Sequence, residues 1–95
     1  MTGGFDEDYY IRLERRVSAL IRSFEHDFAR DQIGLLVELA DHNEPGVAVE
    51  MLSSMLVESA RPVASELRDE FRALAETMHL KSDVWSQLRV WESAE

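Results

Sequence analysis

The stretch Pro45-Gly46-Val47-Ala48-Val49-Glu50-Met51-Leu52-Ser53-Ser54-Met55-Leu56-Val57-Glu58 decides the architecture of this chain. Its apolar residues do not alternate as a half-buried strand would, and Pro45 suits the first turn of a helix, where the missing N–H costs nothing. The spacing predicts a helix from about Pro45 to Glu58. Val47, Ala48, Val49, Met51, Leu52, Met55, Leu56 and Val57 take up most of its circumference. A narrow polar stripe of Glu50, Ser53, Ser54 and Glu58 is left over, and so wide an apolar surface belongs at the centre of a fold.

Helical spacing continues on both sides. Upstream, His42-Asn43-Glu44 marks the end of a second helix defined by Ile33, Leu36, Val37, Leu39 and Ala40 and slightly weakened by Gly34. A first helix is expected to start near Asp6 as N-cap and to carry Tyr10, Leu13, Val17, Leu20, Ile21, Phe24 and Phe28 along one stripe, with Arg12, Arg15 and Arg22 facing water. The stripe changes phase around residues 27–31. Downstream, Arg61-Pro62 breaks the pattern, and a fourth helix from about Val63 to Met78 presents Val63, Leu67, Phe71, Leu74 and Met78. Ser82 is placed to cap a short last helix in which Val84, Leu88 and Trp91 share a face, with Trp85 beside them. The fold expected is all-α, a compact bundle of four to five short helices forming a single domain over residues 1–95, with residues 1–5 as a flexible lead-in.

Composition narrows the function. The chain has 95 residues, 19 acidic and 10 basic side chains, a formal charge of -9 and no cysteine. Absence of cysteine removes disulfides, thiolate metal sites and a cysteine nucleophile. The negative charge argues against nucleic acid and anionic membrane as partners. No segment has the apolar length of a membrane span and the start lacks the basic and apolar regions of a signal peptide, so a cytoplasmic protein is expected.

Catalytic patterns are missing. There is no G-x-S-x-G elbow, no phosphate-binding glycine loop, and the one lysine, Lys81, sits between helices. Glu38, Asp41, His42 and Glu44 cluster in seven residues, and Glu25-His26-Asp27 groups two acids around a histidine. The inward Glu-x-x-His pairs of bundle di-metal sites are not found, and Glu38 and Asp41 fall on the polar side of their helix. No cofactor, no metal and no enzymatic activity are therefore expected.

Charge distribution says more than any motif. Residues 31–60 hold six acids and no Lys or Arg, whereas residues 1–30 hold six acids and five bases, and residues 61–95 seven and five. Asp31, Glu38 and Asp41 project from the second helix, Glu44 lies in the turn, and Glu50 and Glu58 line the third. These acids read either as a solvated face that keeps the protein soluble or as a docking surface for a basic protein. Trp85 is expected to close the core, and Trp91, near the end of the chain, to anchor an interface.

Asn43-Glu44-Pro45-Gly46-Val47-Ala48-Val49-Glu50-Met51-Leu52, followed by Leu56 and Glu58, resembles the MafI-like immunity proteins of bacterial polymorphic toxin systems. Those are small acidic helical proteins with a Glu-x-Gly-x-Ala-x-Glu-x-Leu segment and a following Leu-x-Glu. The order of the helices and a closing segment with Trp85 and Leu88 extend the likeness along nearly the whole chain; Pro45 and Trp91 depart from the family's pattern. The resemblance implies a non-catalytic protein that binds and neutralises a cognate toxin domain, commonly a nuclease. Partner contact is then expected at Asp31, Glu38, Asp41, Glu44, Glu50 and Trp91. Glu50 has a second reading, as a structural group held by an arginine such as Arg61. The competing expectation for the whole protein is a helical interaction or regulatory module, homodimeric through Trp91 and the third helix.

Overall fold

A computed structural model describes residues 3–42 and 44–91, with side chains from Asp8 onward. It is all-α: the helices are α1 (Gly3–Arg22), α2 (Arg30–Asp41), α3 (Pro45–Glu58), α4 (Ser65–Thr77) and α5 (Asp83–Ser86), and no strand occurs among the described residues. The chain divides into two compact units, Met1–Ala48 and Val49–Glu95, with the boundary inside the continuous helix α3.

In the first unit α1 packs on α2. Leu13, Val17, Leu20, Ile21 and Phe24 are buried from the α1 side and Ile33, Leu36 and Ala40 from α2, all at spacings of three, four or seven as the stripes predict. Removing each larger side chain from water contributes roughly 1.5–3 kcal/mol, which makes these stripes the main reason both helices form. Three expectations need correction. Helix α1 starts at Gly3, so Asp6 lies inside it and is not its cap. Tyr10, placed on the apolar stripe, is 56% exposed and meets Tyr9 edge-to-face at 5.3 Å. The break also comes earlier, at Ser23, whose hydroxyl and amide both return to the Ala19 carbonyl at the start of a run of i to i-3 bonds. Helix α2 begins after Ala29, whose side chain has no oxygen to offer as a cap; Gln32 Oε1 accepts from the Ala29 amide at 3.0 Å instead.

The second unit carries the rest of α3, then α4 and α5, which pack together. Val49, Leu52, Leu56, Val63, Phe71, Leu74, Ala75, Val84 and Leu88 are its buried apolar residues. Val63 is not helical. Its N–H donates to the Arg89 carbonyl at 2.8 Å and its own carbonyl accepts from Trp91 at 2.9 Å, an isolated parallel bridge between Val63 and Val90. This pairing satisfies the backbone around a buried valine without a helix, so α4 starts two residues later than its apolar spacing suggested. The last helix has only four residues, so Leu88 and Trp91 both lie beyond it and do not share a helix face with Val84.

Two helix ends use the same device. After α3, Ala60 sits at φ 55, with Arg61 N–H donating to Leu56 and Ala60 N–H to Val57. After α4, His79 sits at φ 59, with Leu80 donating to Ala75 and His79 to Glu76. Both are Schellman ends with a non-glycine residue in the left-handed position. The end of α2 shows the same long bond, from the Glu44 amide to the Leu39 carbonyl at 3.0 Å.

Candidate functional site

Helix α2 buries Ile33, Leu36 and Ala40. At 100° per residue the opposite face carries Asp31, Leu35, Glu38 and His42, with Asp41 on its flank. All five are exposed. Asp31 lies in the first turn, where a carboxylate is favoured by the helix dipole whatever else it does. Glu44 is exposed in the turn and held on both sides, its amide donating to Leu39 and its carbonyl accepting from Ala48 at 3.1 Å. Structure thus brings Glu38 and Glu44 to one place. They line a groove of about 310 Å³ with Leu35, Leu39 and His42.

Leu35 and His42 were absent from the expected surface. Leu35 is 48% exposed, a large apolar side chain between Asp31 and Glu38. Its position off the Ile33–Leu36–Ala40 stripe is the signal that could have marked it. The His42 ring nitrogen Nδ1 lies 2.7 Å from the Glu38 carbonyl. A carbonyl only accepts, so Nδ1 donates, and in the neutral ring Nε2 is left as an acceptor. The other flank of α2 carries different charges: a groove of about 580 Å³ there is lined by Arg22, Glu25, His26, Arg30, Gly34 and Val37 among others, with Glu25 3.8 Å from Arg22 and 3.5 Å from His26.

Glu50 and Glu58 belong to the second unit, where both are exposed and line a groove of about 350 Å³ with Lys81 and Asp83. The stretch that has no base in sequence therefore acquires one in space at α3. Ser53, read as part of the polar stripe of α3, is buried instead; its hydroxyl donates to the Val84 carbonyl at 2.7 Å. Trp91 is 65% exposed, its backbone fastened to Val63. Trp85 is half-buried under two guanidinium groups, Arg68 at 5.4 Å and Arg72 at 4.8 Å from the ring centre, and its carbonyl accepts from Arg68 Nε at 3.3 Å.

Among the described residues no three His, Asp or Glu side chains are placed to hold a metal ion, and no helix is long and apolar enough to cross a membrane. Asn43, part of the segment on which the family resemblance rests, lies outside the described residues. Comparison with protein-family models, with curated proteins and with solved structures gave no match.

Proposed function

We propose that this chain is a non-catalytic binding protein, an immunity protein that neutralises a cognate bacterial toxin domain in the cytoplasm by docking an acidic helical surface on it, the toxin being a basic nuclease. The observation that carries the reading is the solvent face of α2, where Asp31, Glu38 and Asp41, with Glu44 in the turn, are exposed in a stretch free of Lys and Arg. Such a field raises the encounter rate with a polyanion-binding protein and disfavours other partners. The resemblance of residues 43–58 to MafI-like proteins points the same way.

Co-expression with the toxin encoded beside it is the test. Growth rescue that depends on this protein is expected; a toxin that kills equally in its molar excess removes the proposal. A second reading, a homodimeric helical module, is favoured by Trp91, 65% exposed, and by the exposed Val57. Light scattering on the purified chain separates the two, since a concentration-independent dimer is expected only of the module.

A further inference from the structure

We propose that the groove lined by Leu35, Glu38, Leu39, His42 and Glu44 is a receptor for an arginine side chain of a basic partner segment. This rests on reading α2 as the partner face and names what that face recognises. The groove has a mostly apolar wall, supplied by Leu35 and Leu39, and two carboxylates at its edge. An ion alone would gain nothing from the leucines, and an apolar side chain alone would gain nothing from the acids. Arginine has both parts: a three-carbon stem that covers apolar surface and a planar head with five donors and no acceptor. The Glu38 and Glu44 carboxylates only accept, and in the neutral ring His42 Nε2 accepts as well, since Nδ1 donates to the Glu38 carbonyl.

A second copy of this chain is the poorer occupant, because each copy carries a charge of -9 and repels the other at low salt. The groove on the opposite flank of α2 has two arginines, Arg22 and Arg30, against one acid, Glu25, and is the less favourable place for the same arginine.

The test is amide chemical-shift mapping of the full-length protein titrated with two capped peptides of equal charge, Gly-Arg-Leu-Arg-Gly and Gly-Lys-Leu-Lys-Gly. Shifts concentrated at residues 35–44, with the arginine peptide bound more tightly, are expected. Leu35→Ser and the pair Glu38→Gln with Glu44→Gln should each weaken binding about three- to tenfold with unchanged helical circular dichroism, since all three side chains are exposed. Equal affinity for the two peptides with shifts spread over Glu50 and Glu58 as well would overturn the proposal, leaving general charge attraction. Concentration-dependent shifts at residues 35–44 without peptide would overturn it too, assigning the groove to a second copy. Growth rescue untouched by these substitutions would remove the groove and leave the toxin reading standing. Arginine-selective mapping without any growth rescue would support the groove and remove the toxin reading.

Discussion

The Ser53 hydroxyl of α3 donates to the Val84 carbonyl of α5 across 2.7 Å, a buried hydrogen bond between residues 31 apart in sequence. It joins the most apolar helix to the shortest one. A four-residue helix cannot hold itself together in water, so α5 depends on such attachments.

Ser53→Ala is expected to destabilise the protein by about 1–3 kcal/mol, because the serine is 5% exposed and the carbonyl it serves would be left in a dry environment. Ser54→Ala, one residue along and exposed, should stay within about 0.5 kcal/mol. Urea unfolding of both variants decides it; equal midpoints would show that Val84 finds another donor.

Trp85 is the second attachment of α5. Two arginines of α4 stack on its ring, and Arg72 is itself positioned by Glu76 at 3.2 Å. Each guanidinium–indole contact is expected to contribute about 0.5–1 kcal/mol at this partly exposed site. Arg72→Met should therefore lower stability by less than about 1.5 kcal/mol and Trp85→Ala by more, and a double-mutant cycle should return a coupling of about 0.5–1 kcal/mol. A coupling indistinguishable from zero would reduce the pair to coincidental proximity.

The left-handed residues after α3 and α4 should be improvable. Holding an L-residue at φ 55 or 59 costs roughly 1–2 kcal/mol that glycine does not incur, partly offset by glycine's greater freedom in the unfolded chain. Ala60→Gly and His79→Gly are each expected to stabilise by about 0.5–1 kcal/mol, a rise in Tm of several degrees for a chain of this size. Calorimetry showing a lower Tm for both would mean that the two turns relax away from φ near +60° in solution.

For the acidic face the expectation is kinetic. Reversing Glu38, Asp41 and Glu44 to lysine should slow association with a basic partner about tenfold or more at low ionic strength and flatten its salt dependence. Stopped-flow association at low and physiological salt measures both; identical rate constants would assign these acids to solubility.

Much of the local structure is readable from the chain in one pass. Helix α3 has the predicted bounds because Pro45 starts it, and its apolar run leaves no other periodicity. The stripes of α1 and α2 bury Leu13 through Phe24 and Ile33 through Ala40 as spacing requires. The candidate surface was half legible. Exposed Glu38, Asp41 and Glu44 follow from the polar side of one helix and one turn, but the exposed Leu35 and the orientation of His42 do not follow from charge counting.

Whatever depends on one helix turn, three or four residues long, can be read from sequence, since neighbours at that range meet in any amphipathic helix. All-α character, the α3 bounds and the acid-only run of residues 31–60 are of this kind. Contacts between distant residues are not. Ser53 is polar in any sequence scale, and only the Val84 carbonyl makes its burial favourable. Val63 belongs to a helical pattern until Arg89 and Trp91 pair with its backbone. Lys81 lies 23 residues beyond Glu58 in the chain, yet the two line one groove, so a stretch without Lys or Arg along the sequence has one base beside it in space at α3. Each outcome turns on a partner that chain folding delivers, and pattern within a single helix carries no information about which partner that is.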